Sequence, residues 1–376
     1  MSGDMQPRRF IRLAGLVLLL ATGLGGAAHA AEEKWLLEGM IDPTLWKTSD
    51  GSRLLARNEG DAAADATLRL FLAAELVPRF DLVVVGTAYG ATDDNGSDTD
   101  FEQAFVRYSM RKAQPLYLEA GKIVTPLGNF SARYLPTVNP LIGKPTSYGV
   151  SYPLGVQLAG SLARFDFRVA MVDLPLTNES YLPEAGSHPR PAVAFGFTPL
   201  TGARIGVYYT AGPYLSDEID PYLPAGAAWE DYGQQVAGVD LQWSRGHVEL
   251  NADYAENSYD VPTYAEEYRG RAWYGEAKYT FAPRWFAAAR YEENLYLYSQ
   301  PLPNGYWIAA LPTVRAIEGG AGYRFDRLTS LKASVRVDRW SVEPGEEAML
   351  PDGWAAAVQL VHRFDVRSWF ENPAAR

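Results

Sequence analysis

The side chains best suited to covalent or metal chemistry are scarce. The chain has no Cys and four His in 376 residues, which removes thiolate zinc sites, iron–sulfur clusters, disulfide scaffolds and thiol nucleophiles. Of the histidines beyond residue 30, His188 lies in a Pro-rich stretch, His247 beside Gly246 at a turn, and His362 near Phe364. None stands at ligand spacing from another, none pairs with a serine in a motif, and no Gly-x-Ser-x-Gly occurs, so neither a metalloenzyme nor a hydrolase is expected. The run from Asp93 to Asp100 packs Asp93, Asp94, Asp98 and Asp100 around an Asn-Gly turn. Oxygen ligands at that density could hold Ca²⁺, although the spacing is not that of an EF-hand; a solvated acidic tip is the competing reading.

The remaining chemistry is electrostatic, and it is set out with period two. In Leu68–Leu72, Val248–Tyr254 and Leu331–Val337, apolar residues alternate with polar or charged ones, Phe71 being the exception. On the polar face the alternation places the bases Arg69, Arg107, Arg111, Arg168, Lys278, Arg290, Arg324, Lys332 and Arg336. The acids on that face are Asp240, Glu249, Asp253, Glu276, Glu292, Glu318 and Asp338. Opposed arcs of fixed charge around an aqueous space set a transverse field that orients polar solutes.

Such charges are positioned by strands with one apolar and one polar face. Sixteen are predicted, near 34–46, 63–77, 80–91, 100–111, 114–124, 153–163, 165–174, 191–199, 202–213, 232–244, 247–256, 269–281, 284–297, 313–325, 329–341 and 353–365. Tight connections at Pro78-Arg79, Lys112-Ala113, Arg164, Leu200-Thr201, Arg245-Gly246, Ala282-Pro283 and Asp326-Arg327-Leu328 alternate with long ones. A soluble sandwich has no reason to sort its loops in this way, whereas a transmembrane barrel does, and closure removes the exposed edges that lipid cannot satisfy. The expected fold is therefore an all-β, transmembrane antiparallel β-barrel of about 16 strands spanning 31–365. Trp243, Trp273, Trp285, Tyr279, Tyr323 and Phe325, near strand ends, suit interfacial girdles.

The ends of the chain agree. Arg8, Arg9 and Arg12 precede an apolar stretch from Leu13 to Leu24 and a small-residue site at Ala28-His29-Ala30, so residues 1–30 read as a cleaved signal peptide, too short in its apolar core to span a bilayer. Residues 366–376 form a short tail expected in the periplasm.

Two features carry a resemblance to known families. The sixteen segments with alternating short and long connections resemble the general trimeric porins of Gram-negative bacteria. The run Leu118-Glu119-Ala120-Gly121-Lys122-Ile123-Val124-Thr125-Pro126-Leu127-Gly128 is similar to the Gly-x-x-x-Thr-Pro-x-Gly stretch of the phosphate-selective porin O/P family. The stretch Trp354–Phe364 resembles the final strand of outer-membrane proteins, which typically ends in an aromatic residue; here a tail follows it. The resemblance implies a homotrimeric outer-membrane channel for small hydrophilic solutes, without cofactor, whose third long loop folds into the lumen. That family's dense lysine and arginine ladder is absent here, so phosphate selectivity does not carry over.

The third long loop, Thr125 to Tyr152, is the longest at 28 residues and contains Arg133 and Lys144 but no Asp or Glu. It is the expected constriction, with Arg133, Tyr134, Lys144 and Tyr148 as its functional residues, and its two bases predict a mild anion preference. Tyr134, Tyr148 and Tyr152 could form a stacking slide for sugars or pack the loop to the wall. The alternatives are a solute-specific sugar or anion channel and a non-conducting barrel whose acidic loops bind a partner or lipopolysaccharide; a soluble secreted all-β protein is the least favoured. The four windows 93–100, 217–231, 256–267 and 343–352 hold 17 acids and no bases, more than the whole net charge of −11. The acidity thus belongs to the loops facing outward, and the chain lacks the basic footprint of a nucleic-acid binder.

Overall fold

The computed structural model describes residues 35–50, 62–92, 96–111, 115–145, 151–173, 188–295, 297–341 and 352–366. The expected signal peptide, nearly all of the tail, the Lys112-Ala113 turn, Asp93, Asp94 and Tyr148 lie outside them.

In chain order the strands are β1 (Trp35–Ile41), β2 (Thr44–Thr48), β3 (Ala62–Val77), β4 (Phe80–Ala91), β5 (Ser97–Ser109), β6 (Leu116–Lys122), β7 (Leu154–Leu162), β8 (Phe165–Val172), β9 (Arg190–Leu200) and β10 (Ala203–Pro213). They continue with β11 (Gly233–Arg245), β12 (Val248–Tyr259), β13 (Tyr268–Thr280), β14 (Trp285–Leu295), β15 (Tyr298–Pro301), β16 (Trp307–Ala310), β17 (Thr313–Arg324), β18 (Thr329–Ser341) and β19 (Gly353–Asp365). β1 and β2 are two halves of one stave, since both lie between β19 and β3. β15 and β16 pair only with each other, leaving β14 to pair with β17. The result is sixteen antiparallel staves. β1 closes the ring on β19, from Glu38 opposite Asp365 to Ile41 opposite His362.

Two elements differ from expectation. The first stave is predicted as one strand over 34–46, but it breaks at Asp42-Pro43 and runs on to Thr48. Pro43 has no N–H for the ladder, although its carbonyl still accepts from Leu360 N at 3.0 Å. The second difference is the hairpin β15–β16, in what reads as a plain connection. Its signal is Asn304-Gly305, the residue pair of tight hairpins, with Gly305 at φ 79°. Around it Tyr214, Leu215, Ile219, Tyr259, Val261, Leu297 and Trp307 form a buried apolar layer at the long-loop end.

The faces of the sheet are inverted relative to a water-soluble protein. Ile317 and Val335 are 59% and 52% exposed while their neighbours Glu318 and Arg336 are 1% and 2% exposed. Apolar positions therefore face outward and charged ones inward, which is stable only where the outer medium is apolar. At the short-turn end, exterior aromatics touch in chains: Phe80 with Tyr108 at 4.7 Å, Phe165 with Phe197 at 4.9 Å, and Trp285 with Tyr323 at 4.7 Å. Rings at one level of a barrel suit the membrane–water boundary.

Candidate constriction of the lumen

The chain leaves the sheet after Lys122; just before it stands Gly121, whose φ of 134° and whose close approach to the Ala104 carbonyl admit no side chain. Thr125 then ties the two stems together: its Oγ1 donates to the Ser151 carbonyl at 2.6 Å, and its N–H donates to the same carbonyl at 3.0 Å. Gly128, at φ 65°, turns the chain where a Cβ would come within 2.9 Å of the Asp253 carboxylate. The Gly-x-x-x-Thr-Pro-x-Gly stretch is thus a device for sending the chain inward.

From there residues 123–145 cross the barrel. Ile123 and Leu127 bury against inward residues of β5 and β8–β12, among them Phe105, Ala192, Tyr208 and Ala255. Asn129 donates to the Leu241 carbonyl at 3.3 Å and accepts from the Tyr274 hydroxyl at 2.9 Å. Arg133 pairs with Glu276 on β13, and the Tyr134 hydroxyl donates to Glu102 on β5 at 2.6 Å. Lys332 on β18 donates to the carbonyls of Pro136, Asn139 and Leu141 at 3.0, 3.1 and 3.1 Å, and Gly143 N donates to Glu318 on β17 at 2.9 Å. One segment reaches the polar faces of staves on both sides of the ring only by lying inside it.

The wall charges predicted from alternation are largely paired. Arg290 reaches Glu318 at 2.6 Å, Glu276 at 3.3 Å and Glu292 at 3.6 Å. Arg336 pairs with Glu292 and, at 2.7 Å, with Asp338. Asp240 pairs with Arg204 at 2.6 Å, Lys278 with Glu249 at 2.6 Å, and Asp253 accepts from the Tyr208 hydroxyl at 2.6 Å. Arg107 pairs with Glu119 at 2.7 Å, Arg69 with Asp42 at 3.0 Å and Glu102 at 3.3 Å. Arg324 lies over the Phe286 ring at 5.2 Å, and Arg111 is exposed beyond the end of β5. Asp100 pairs with Lys122 at 2.9 Å and Asp98 accepts from Thr99 N, and the described residues hold no acidic or histidine cluster fit for a metal.

Several lumen groups escape the sequence pattern. Glu102 points inward with its neighbour Gln103 because the ladder slips there: Val85 faces Gln103 and Gly86 faces Phe101. Such a bulge re-aims a side chain against strict alternation. Asp42 sits at the break in the first stave. Glu119 was legible in principle, since the short connection after β5 sets it opposite Arg107.

Most of the wall charges of both signs are buried, among them Arg290, Arg336 and Lys332. Glu276, Glu292, Glu318, Asp240, Asp253 and Asp338 are all buried. Lys144 remains exposed, 5.9 Å from the Tyr134 ring centre. Burial, then the Glu102 carboxylate, pushes the Tyr134 phenol well above its ordinary range, so it stays a neutral donor. Between the loop residues Ser131 and Ala132 and the wall of β5–β8 lies a cavity of about 170 Å³, reached by Gln103, Arg107, Tyr117, Glu119, Gln157 and Arg168.

A closed antiparallel barrel of sixteen staves with an apolar exterior and a charged interior is the fold of the Gram-negative general porins. Comparison with solved structures bears this out. A Salmonella typhi OmpF in complex with daunomycin aligns with a TM-score of 0.59 at 14% identity, over 88% of this chain and 98% of that one. An anion-selective porin from Comamonas acidovorans aligns at 0.59 and 10% identity, over 89% and 100%. A loop-deleted OmpT, an outer-membrane protein of Vibrio cholerae, aligns at 0.58 and 11% identity, also over 89% and 100%. No protein-family model and no curated protein matches the sequence.

Proposed function

We propose that this chain is a non-enzymatic outer-membrane porin of a Gram-negative bacterium. It lets small hydrophilic solutes and ions diffuse passively through a lumen narrowed by residues 123–145, with a mild preference for anions. The reading includes assembly as a homotrimer among outer-membrane lipids and lipopolysaccharide. It rests on one observation above all: the strap hydrogen-bonds to opposite sides of a charged lumen. The anion preference has a more specific basis than the two loop bases alone. Arg133 is neutralised by Glu276, so it contributes little field. Lys144 is exposed, while the acids beside the strap are covered, and an accessible charge near a constriction sets ion preference.

Purified protein in planar bilayers tests this. It is expected to give discrete conductance steps in KCl and a reversal potential on the anion side in a KCl gradient. Lys144→Glu should move that potential toward cations, most at low ionic strength, because screening at physiological salt sets in beyond about 8 Å. Absence of conductance would favour a non-conducting barrel, and an unmoved potential would remove Lys144 from the selectivity determinants.

A further inference from the structure

The cavity between Ser131 and the wall of β5–β8 is furnished unlike the rest of the lumen. Arg107 is neutralised by Glu119 at 2.7 Å and lies over the Tyr117 ring at 4.8 Å. Glu119 also accepts from Gln157 Nε2 at 2.7 Å. A carboxylate has no proton to give, so this contact fixes the amide with its nitrogen toward Glu119. Gln157 Oε1 is thereby left without a partner, in a side chain only 5% exposed. Ser131 Oγ, across the cavity on the strap, is also buried and without a partner. Buried polar atoms are nearly always satisfied, and exceptions call for an explanation.

Arg168 supplies the third element. It projects from β8 between Ala159 and Ala194 on the neighbouring staves, and it has no carboxylate partner among the described residues. The cavity thus offers one uncompensated guanidinium, one buried acceptor in need of a donor, and one hydroxyl, in about 170 Å³. A chloride ion could take donors from the guanidinium and the hydroxyl but would leave the buried Gln157 acceptor unsatisfied. A sugar would leave the guanidinium unmatched.

We propose that this cavity is a binding station for small hydroxylated carboxylates: the carboxylate docks on Arg168, a ligand hydroxyl donates to Gln157 Oε1, and Ser131 Oγ hydrogen-bonds the same solute. The proposal rests on the channel reading only in that the solute reaches the site through the lumen.

Three solutes of one carbon count separate the contributions: glycerate carries both groups, propionate the carboxylate alone, glycerol the hydroxyls alone. Calorimetric titration of the full-length protein in detergent should show saturable binding of glycerate, weaker binding of propionate and none of glycerol. Arg168→Ala should weaken glycerate at least about tenfold, as loss of a charge-assisted hydrogen bond does. Gln157→Leu should weaken glycerate about threefold to tenfold and leave propionate unchanged, a split that a merely structural role would not produce. Arg168→Lys should retain part of the affinity and serves as the control for folding. Equal binding of all three solutes, no saturable heat with glycerate, or wild-type affinity in Arg168→Ala would overturn the assignment. KCl conductance is recorded on the same samples: a conducting barrel that ignores glycerate refutes the station alone, and a silent barrel that binds it refutes the channel alone.

Discussion

Arg290→Leu should lower the thermal stability of the barrel more than any other single change in the lumen. The Arg290 side chain is 1% exposed, and it reaches three carboxylates whose own side chains are 0%, 1% and 1% exposed: Glu276, Glu292 and Glu318. Other partners remain without it, among them Arg133 for Glu276, Arg336 for Glu292 and the Gly143 N–H for Glu318. None of these can absorb the charge that the guanidinium balanced. Removing one member of a buried pair typically costs about 3–5 kcal/mol, because it strands the other charge out of water. The measurement is loss of β-structure by circular dichroism on heating in detergent. Arg269→Leu is the control: its partner Glu267 lies 3.4 Å away and the Arg269 side chain is 80% exposed, a class of pair worth about 0–1 kcal/mol. Equal melting of the two variants would mean that water reaches the Arg290 cluster and that the strap does not seal it.

The extent to which this arrangement was legible in the sequence follows from periodicity. Sixteen staves could be read, fifteen of them as unbroken strands, because a strand with lipid on one side and water on the other must alternate strictly. Arg290, Arg336, Glu276 and Asp253, placed on the polar face by the same alternation, are buried residues of the sheet. What escaped was whatever breaks the period: Glu102 at a bulge, Asp42 at a proline break, and the hairpin around Asn304-Gly305. Pairing was harder than facing. Arg133 looked like a free cation of the constriction because its partner Glu276 lies 143 residues away, on a stave that only closure of the ring brings near. The same limit applies to Arg168, which the alternation places among the wall bases but whose lack of a carboxylate partner among the described residues no local pattern encodes.

Excising residues 128–143, with Leu127 and Lys144 joined by a Gly/Ser linker, should raise single-channel conductance several-fold and turn the ion preference from anions toward cations. The barrel itself should persist. Its closure comes from the ladder of β1 with β19, and β6 pairs directly with β5 and β7, so no stave depends on the strap for its register. Polar groups that lose strap partners, such as Lys332 and Glu318, gain water as the lumen opens, which offsets much of the lost bonding. The inversion of selectivity follows from what the strap covers. Glu276 loses Arg133, Glu318 loses the Gly143 N–H, and Asp253 and Asp240 lose their cover near Gly128 and Asn129. Four acids are then uncovered against the single base Lys332, and Arg133 is removed with the strap, so the charge facing the permeating ions at the narrowest remaining level shifts toward negative. The two readouts together are decisive: a strap that only braces the wall would, when removed, lower stability with conductance and reversal potential unchanged. A rise in conductance without the change of sign would leave the anion preference with Lys144, which the excision retains, and Lys144→Glu in the excised background would then be the next substitution.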